Sequence, residues 1–323
     1  MSPYWKDKAV LVTGGAGYIG SYVVEDLLRR DARPIVADNL ETGTIENLAG
    51  FRERVEFRNL DLREFSNCRA AVKGAEVAMN LAARAYGVGH SHKNHGDMLT
   101  STLQISLNML EAARLAGIRR YLVVSTSCVY PDDAVMPTPE GCAFDGTPES
   151  ANEGYGWGKR MAEIQAGYYA REHGMEVAIV RPFNAYGGAR YTWKDEKSHV
   201  IPMLVRRVMS GEDPLVVWGS GRQTRSFMHV RDIARLMVDA TERHATGEPV
   251  NLGDESEISI ADLVQVILRV AGRNPKVVFD TSKPEGKARK SADGSRLRKV
   301  FPDFKAGVSL EGGIREIVAT YRA

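Results

Sequence analysis

Two short stretches of the chain carry a hydroxyl, a thiol, a phenol and an ammonium group that could act on one ligand. Residues 125–131 are Ser-Thr-Ser-Cys-Val-Tyr-Pro and follow an apolar run, Tyr121 to Val124, that predicts a buried strand. Tyr155 and Lys159 are four residues apart, so they share one face of a predicted helix. These residue types suit acid–base chemistry, in which side chains exchange protons with a bound substrate.

A glycine-rich turn near the N-terminus predicts a site for the pyrophosphate of a dinucleotide. A β-rich run at 8–13 leads into Gly-Gly-Ala-Gly-Tyr-Ile-Gly at 14–20, and an amphipathic helix is predicted at 21–30. Glycines at these positions allow a tight turn and a close approach of the pyrophosphate to backbone N–H groups. The next predicted strand, 34–38, ends in Asp38, whose carboxylate can accept from both ribose hydroxyls and would repel a 2′-phosphate. NAD is therefore the predicted cofactor, in preference to NADP.

Strands and helices alternate over the first 183 residues, which predicts a Rossmann-like α/β fold with a doubly wound parallel sheet. Further strands are predicted at 55–61, 77–83, 121–125 and 176–182, and long helices at about 97–116 and 155–173. Shorter elements follow, with helices at about 200–210, 231–243 and 259–271 and strands at about 215–218, 249–252 and 276–279. Residues 1–183 are expected to bind the dinucleotide. Residues 184–323 are expected to form a smaller α/β substrate domain, with a segment at about 219–246 returning to the first domain.

Composition and charge argue against several classes of protein. The 323 residues are 43% hydrophobic and 26% charged with a net charge of +2, which is ordinary for a globular protein and gives no reason to expect nucleic-acid or membrane partners. The N-terminus lacks the apolar core of a signal peptide, and no run approaches roughly 18 apolar residues. The three cysteines lack zinc spacing, and no carboxylate or cysteine completes a site around His90, His92 and His95. A cytoplasmic protein without a metal is expected.

Together these motifs resemble the extended short-chain dehydrogenase/reductases, the family of nucleotide-sugar epimerases and dehydratases. The segments that carry the resemblance are 13–20, 38–39, 61–62, 80–83, 155–159 and 181–184. In that family the tyrosine, here Tyr155, is the catalytic acid/base, and the lysine, here Lys159, lowers its pKa and holds the nicotinamide ribose. Thr126 matches the residue that orients the sugar hydroxyl. The resemblance implies these cofactor-binding residues: Gly14, Gly17, Tyr18, Ile19, Gly20, Asp38, Asn39, Asp61, Leu62, Leu81, Ala82, Ala83, Tyr155, Lys159 and Pro182.

The two residues after Thr126 indicate the branch of the family. Sugar 4,6-dehydratases carry Asp-Glu or Glu there, whereas this chain has Ser127 and Cys128, which argues against a dehydratase. Cys128 is a candidate proton-transfer group, with His199 as its partner, because inversion at carbon needs a base on one face and an acid on the other. A thiol and an imidazole need little tuning to work near neutral pH. We expect transient oxidation at C4, proton removal at C3 and C5 by a Cys128 thiolate, proton return by His199, and re-reduction at C4.

The same resemblance implies a nucleotide-diphosphate sugar as substrate, with a GDP-hexose favoured. Its predicted contacts are Gly87, Ser127, Asn184, His199, Arg207, Gln223, Arg225 and Lys290. The two arginines suit a diphosphate because a guanidinium can donate two parallel hydrogen bonds. The Lys/Arg-rich stretch 281–298 is either a solvated face or part of an anion site. In related proteins the helices at about 97–116 and 155–172 form a four-helix bundle between two subunits, so a homodimer is predicted.

Three other functions stay open at this point. A simple 4-epimerase would need only Tyr155 and no exchange with solvent. An epimerase-reductase acting on a GDP-4-keto-6-deoxyhexose would consume reduced cofactor. A non-catalytic NAD-binding sensor is the remaining alternative, and the intact set of Thr126, Tyr155 and Lys159 argues against it.

Overall fold

The computed structural model describes residues 3–84, 91–190, 199–253, 255–283 and 287–322. Its strands, in chain order, are β1 Ala9–Thr13, β2 Arg33–Asp38, β3 Glu56–Asn59, β4 Val77–Asn80, β5 Arg120–Val124, β6 Glu176–Pro182, β7 Ala185–Tyr186, β8 Leu215–Trp218, β9 Thr224–Ser226, β10 Met228–His229, β11 Pro249–Leu252, β12 Glu257–Ser259, β13 Val277–Asp280 and β14 Arg289–Lys290. Its α-helices are α1 Tyr18–Arg29, α2 Phe65–Ala71, α3 His95–Leu115, α4 Glu153–His173, α5 Val200–Met209, α6 Val230–Arg243, α7 Ile260–Ala271, α8 Ser295–Val300 and α9 Leu310–Ala319.

The central sheet has seven parallel strands in the order β11-β6-β5-β4-β1-β2-β3. Every residue of β1 is buried, and alternate residues serve two separate cores. Val10 and Val12 belong to the core on one face of the sheet, and Leu11 belongs to the core on the other. A strand buried on both faces needs a continuous apolar run rather than an alternating one. The predicted doubly wound parallel sheet is confirmed.

The chain leaves this sheet after β6 and returns to it at β11. Helix α6 packs against α1 and β6, and β11 pairs with β6 in parallel. An ion-pair group ties α6 to α1, in which the guanidinium of Arg30 contacts Asp26 at 2.8 Å and Asp239 at 2.7 Å. Between these crossings, β9 pairs with β12 and β14, and helices α5, α7 and α9 pack around a third core.

Helices α3 and α4 lie side by side, and each begins two residues before its predicted start. Two glycines on α4 permit the close approach. A Cβ on Gly158 would lie 2.8 Å from the Cβ of Thr102 on α3, and one on Gly154 would overlap the carbonyl oxygen of His95. The leucines of α3 have different surroundings, since Leu110 is 1% exposed but Leu107 is 40% exposed.

Short elements account for most of the structure that the sequence pattern did not predict. Helix α2 buries only Cys68 and Ala71, and such a short helix has too few turns to show an apolar stripe. The predicted strands at 55–61 and 77–83 end earlier, at Asn59 and Asn80, so the residues beyond them form loops at the carboxyl edge of the sheet. Within the described ranges, no helix is both long enough and apolar enough to cross a membrane.

Candidate active site

The glycine loop between β1 and α1 has the shape that a bound pyrophosphate needs. Gly14 has a φ of 66°, and a Cβ at this position would lie 2.9 Å from the backbone nitrogen of Ala82. A Cβ on Gly20 would overlap the carbonyl oxygen of Gly14. Helix α1 begins after Gly17 without a side-chain cap, so its first N–H groups can be donated to an anion. The predicted contacts Tyr18 and Ile19 lie in this first turn.

Asp38 ends β2 beside that loop and is 8% exposed. Its two carboxylate oxygens accept from the N–H groups of Ala16 at 3.0 Å and Leu40 at 2.9 Å. Burial raises the pKa of Asp38, and these two hydrogen bonds oppose the rise. A carboxylate has about four acceptor sites, so lone pairs are left for ribose hydroxyls. The residues present therefore fit NAD.

The loops that follow β2 and β3 carry several charged side chains. Asp61 accepts from Nε of Arg63 at 2.9 Å, and this hydrogen bond holds the pKa of Asp61 below its usual value. Arg84 forms an ion pair with Glu41 at 2.7 Å. Leu62 is buried beneath this group in the core that contains Cys68. The predicted cofactor contact Asn39 lies next to Asp38, and its side-chain carbonyl oxygen accepts from the N–H of Glu41 at 3.1 Å.

The loop after β4 lies at the middle of the carboxyl edge of the central sheet. The hydroxyl of Thr13 donates to Oδ1 of Asn80 at 2.7 Å and accepts from the N–H of Ala82 at 3.1 Å. These bonds fix the predicted contacts Leu81, Ala82 and Ala83 against the glycine loop. Pro182, also predicted to contact the cofactor, ends β6 at the same edge.

Tyr155 and Lys159 project from the first turns of α4, with the Lys159 ammonium 5.6 Å from the centre of the tyrosine ring. Lys159 is 3% exposed and donates to the carbonyl oxygen of Val124, at the end of β5, at 2.7 Å. Burial lowers the pKa of Lys159 to about 8. Burial also raises the pKa of Tyr155, and the nearby Cys128 adds to the rise. Desolvation, rather than the charge of Lys159, therefore dominates the pKa of Tyr155.

Thr126 stabilises the short turn that carries Cys128. Its hydroxyl oxygen accepts from the N–H of Cys128 at 3.2 Å and so caps a single 3-10 turn, Ser127–Val129. Ser127 is 6% exposed, whereas Thr126 and Cys128 remain half-buried. The turn places a hydroxyl and a thiol at the carboxyl end of β5, beside the tyrosine of α4.

The thiol of Cys128 lies beside a buried ion pair. Glu149 is 7% exposed and accepts from Nζ of Lys290 at 2.7 Å, and its backbone N–H donates to the carbonyl oxygen of Cys128 at 3.2 Å. Burial alone would raise the pKa of Glu149, but the ammonium of Lys290 outweighs burial and lowers it to about 2. Burial raises the pKa of Cys128 to about 11, with Lys290 opposing the rise and Glu149 adding to it. Desolvation therefore opposes the easy formation of a thiolate that was predicted for Cys128.

His199 lines a small cavity of about 70 Å³. The lining residues are Asn184, Ala185, Tyr186, His199, Val200, Ile201, Pro202, Arg225 and Phe227. The imidazole is accessible from the cavity, but the surrounding protein disfavours its charged form, and the charge of Lys290 lowers its pKa further. The charge of Lys290 therefore acts on Cys128, His199 and Arg225 together.

The remaining predicted substrate contacts are more scattered. Asn184, with a φ of 28°, donates to the carbonyl oxygen of Ser226 at 2.8 Å and borders the cavity. Gln223 is 7% exposed, and its amide nitrogen lies 3.5 Å from the carbonyl oxygen of Trp218. Arg207 is held away from the cavity by Glu212, whose Oε2 accepts from its Nε at 2.6 Å.

Two sequence-based interpretations fall on residues outside the described ranges. Gly87, a predicted substrate contact, and His90, a member of the histidine cluster, are among residues 85–90. The rings of His92 and His95 pack edge to face at 5.8 Å. Within the described part of the chain, no group of three His, Cys, Asp or Glu side chains could hold a metal ion.

A site of this kind, at the carboxyl ends of parallel strands, defines a dinucleotide-dependent enzyme of the short-chain dehydrogenase/reductase class. Residues 10–253 match the model of the NAD dependent epimerase/dehydratase family. A putative GDP-L-fucose synthase 2 of Oryza sativa subsp. japonica is 35% identical over 265 residues, which are 79% of this chain and 76% of that protein. GDP-mannose 3,5-epimerase 1 of the same plant is 28% identical over 315 residues, 97% of this chain and 82% of that protein.

The fold comparison agrees with the sequence comparison. A UDP-glucose 4-epimerase of Thermotoga maritima, solved with UDP-glucose, superposes with a TM-score of 0.88 at 26% identity and covers 97% of this chain and 98% of that one. This protein belongs to the NAD-dependent epimerase/dehydratase family. It is an NAD-dependent enzyme of the epimerase type, an isomerase.

Glu149 is the functional candidate that sequence reasoning missed. It is one of 41 acidic residues, and its position in Pro-Glu-Ser gives no sign that it is buried. The available signal was its place six residues before Tyr155, on the segment that leads into α4. Lys290, which was predicted as a substrate contact, forms an ion pair with this carboxylate.

Proposed function

We propose that this enzyme is a GDP-hexose 3,5-epimerase with GDP-mannose as its substrate. One observation supports the proposal: the charge of Lys290 acts both on the thiol of Cys128, which lies near Tyr155, and on the imidazole of His199. A 4-epimerase has no use for a second pair of proton-transfer groups. Inversion beside a ketone needs both, one on each face of the sugar.

The sequence pattern of GDP-mannose 3,5-epimerase supports this assignment. The matching segments are 87–89, 93–95, 105–114, 127–131, 192–194, 223–227 and 284–286. Two departures are present. That epimerase has lysine at the position of His199, and its dipeptide after Leu-Ala-Ala is acidic-first where this chain has Arg84 and Ala85.

Each residue then has a defined task. Tyr155 takes the proton of the C4 hydroxyl, and Thr126 orients that hydroxyl. NAD, when bound, supplies an acceptor and donor of hydride for C4. The resulting 4-ketone acidifies the hydrogens at C3 and C5, which Cys128 and His199 exchange from opposite faces. The carboxamide of Asn184 and the guanidinium of Arg225, both at the cavity, suit the sugar and diphosphate.

Incubation with GDP-mannose in D₂O tests the proposal. Deuterium is expected at C3 and C5 of recovered nucleotide sugar, measured by mass spectrometry and proton NMR, without net consumption of cofactor. The matched control is UDP-glucose, for which no exchange is expected. Absence of deuterium at both carbons, with inversion at C4 alone, would leave a simple 4-epimerase.

A second candidate function is the epimerase-reductase reaction on a GDP-4-keto-6-deoxyhexose. The 35% identity to a putative GDP-L-fucose synthase and the combination of Cys128 with His199 favour it. Asp38 opposes it, because a buried carboxylate at the ribose would repel the 2′-phosphate of NADPH. Stoichiometric loss of absorbance from NADPH with that keto sugar would establish this alternative.

We also infer that the enzyme is a homodimer through the exposed face of α3 and α4. A groove of about 500 Å³ lies between these helices. Its lining residues are Leu103, Leu107, Met161, Ile164, Gln165, Tyr168, Tyr169 and Glu172. Leu107, Ile164 and Tyr168 are 40%, 37% and 49% exposed, and a second copy of the same helices would cover them.

Charge placed on this face is expected to separate the subunits. Ile164→Glu together with Leu107→Glu should shift the wild-type dimer to a monomer in light scattering, because two carboxylates would be buried unpaired in each half of the interface. The matched control is Phe279→Glu, at a partly exposed apolar residue of β13. A wild-type protein that is already monomeric would disprove the inference.

The two parts of the chain have different roles in this proposal. We infer that residues 1–183 bind NAD and that residues 184–323 mainly bind the nucleotide sugar. The three cysteines, all free within the structure, agree with the reducing cytoplasm as the location of the enzyme.

A further inference from the structure

Two arginines lie at the edge of the sheet where Asp38 is placed to hold the ribose of the cofactor. In dinucleotide-binding folds an arginine near the ribose accommodates the 2′-phosphate of NADP, whereas a carboxylate repels it. We propose that Glu41 is a second selectivity residue, which neutralises Arg84 and Arg63 and so lowers the affinity of the site for a 2′-phosphorylated dinucleotide. This inference concerns the cofactor alone and holds whichever nucleotide sugar the enzyme takes.

The ends of four adjacent strands bring these side chains to one edge. Strands β4, β1, β2 and β3 are parallel neighbours, and their carboxyl ends are paired in register. Glu41 follows the end of β2, Arg84 that of β4 and Arg63 that of β3. The carbonyl oxygen of Asp38 accepts from the N–H of Leu60 at 3.2 Å, which joins the loop after β3 to the ribose end of β2. Because β1 separates β2 from β4, the pair of Glu41 with Arg84 crosses the end of β1, where the glycine loop starts.

Glu41 lies between the two guanidinium groups. Its Oε1 is 2.7 Å from Nε of Arg84, and its Oε2 is 3.6 Å from Nη2 of Arg63. Asn39 fixes the carboxylate from within the same loop, since its amide nitrogen donates to Oε2 of Glu41 at 3.4 Å and its carbonyl oxygen accepts from the N–H of Glu41 at 3.1 Å. The side chains of Glu41, Arg84 and Arg63 are 31%, 30% and 33% exposed, so water and salt screen these charges only in part.

The balance of charge at this edge disfavours a phosphate. Asp61 accepts from Nε of Arg63 at 2.9 Å, so this guanidinium has a carboxylate on each side. Asp38, Glu41 and Asp61 together carry three negative charges against the two positive charges of the arginines, which leaves one negative charge in the group. A phosphate monoester adds about 1.5 to 2 negative charges at neutral pH, whereas the ribose hydroxyl of NAD adds none. The charge of Glu41 therefore acts on NADP and hardly on NAD.

Competition between the two oxidised dinucleotides tests the inference on the full chain. The enzyme is equilibrated with equal concentrations of NAD and NADP, and the bound dinucleotides are released with acid and quantified by mass spectrometry. Glu41→Gln keeps the shape of the side chain and removes its charge, so the ratio of bound NADP to bound NAD should rise about fivefold or more. The affinity for NAD, measured separately by quenching of protein fluorescence, should stay within about twofold of wild type.

Two further variants identify the cause of the change. Glu41→Gln combined with Arg84→Gln restores the original net charge, so it should reverse most of the gain in NADP binding. Glu56→Gln is the matched control, because Glu56 also pairs with an arginine, Arg58 at 2.8 Å, but lies at the amino end of β3, roughly 10 Å along the strand from this edge. It should leave the ratio of bound dinucleotides within about twofold of wild type.

A selective gain for NADP is an effect that loosening of the loop would not produce. If Glu41→Gln weakens the binding of both dinucleotides and leaves their ratio unchanged, Glu41 only supports the loop and the inference is wrong. A wild-type enzyme that binds NADP as tightly as NAD would also overturn it. No sugar takes part in the measurement, so its result is independent of the proposed epimerase activity, which deuterium exchange at C3 and C5 tests separately.

Discussion

Tyr155→Phe is expected to lower kcat by about a thousandfold or more while leaving NAD binding within about twofold of wild type. The phenol is half-buried on the first turn of α4, beside Cys128 and 5.6 Å from the ammonium of Lys159. Removing its oxygen deletes the group that moves the hydroxyl proton but keeps the ring that packs there. Turnover should be measured by nucleotide-sugar exchange, and binding by quenching of protein fluorescence.

The helix supplies its own control for this prediction. Tyr168 lies on α4 as well but is 49% exposed on the opposite, groove-lining side. Tyr168→Phe removes the same oxygen from the same helix and should leave kcat within about twofold. An active Tyr155→Phe enzyme, with exchange at C3 and C5 intact, would mean that the C4 hydroxyl proton leaves by another route and would remove Tyr155 from the mechanism.

The parallel sheet was predictable because its signals are local. The run at β1 is apolar at every position, the glycines follow at once, and the acid ends the next strand. Such signals need no knowledge of distant contacts. The smaller part of the fold was harder, because β9, β10 and β14 have three residues or fewer and owe their pairing to partners far along the chain. A strand that short has no period of its own to detect.

The residues of the site also differ in how well the sequence predicts them. Asp38, Tyr155 and Lys159 could be found because their positions follow from a strand end or from helical spacing. The environment of Cys128 could not, because Glu149 and Lys290 are 141 residues apart in sequence and meet only in the folded chain. Protonation was therefore the least predictable property. It depends on desolvation, which no spacing reports, and desolvation raised the pKa of both Tyr155 and Cys128 where sequence reasoning expected easily formed anions.

The second prediction with a large expected effect concerns a buried ion pair behind the site and its contribution to stability. Arg181 on β6 is 1% exposed and donates to both carboxylate oxygens of Glu163 on α4, at 2.9 and 2.6 Å. It also donates to the hydroxyl of Tyr130 and to the carbonyl oxygen of Glu140, each at 2.8 Å. Glu163 in turn accepts from the hydroxyl of Ser125. The pair thereby joins α4, which carries Tyr155, to the end of β5, which precedes Thr126.

Arg181→Met is expected to destabilise the protein by about 3–5 kcal/mol, because it leaves Glu163 charged and buried without its partner. Urea unfolding at pH 7.5 followed by circular dichroism measures the change. The exposed pair of Arg315 with Glu311, at 2.9 Å, is the matched control, and Arg315→Met should cost less than about 1 kcal/mol. Equal effects from the two substitutions would show that burial of Arg181 does not govern its contribution.

A double substitution distinguishes the contribution of the ion pair from the cost of leaving one of its charges buried and unpaired. Arg181→Met combined with Glu163→Leu removes both ions from the interior, so it should recover a large part of the stability lost in the single variant. Ser125 then keeps a hydroxyl without its carboxylate acceptor, which limits the recovery by about 1–3 kcal/mol. If the double variant is less stable than Arg181→Met alone, the side chains contribute mainly through packing between α4 and β6. If stability returns but kcat does not, the pair also positions the helix that carries Tyr155 and Lys159.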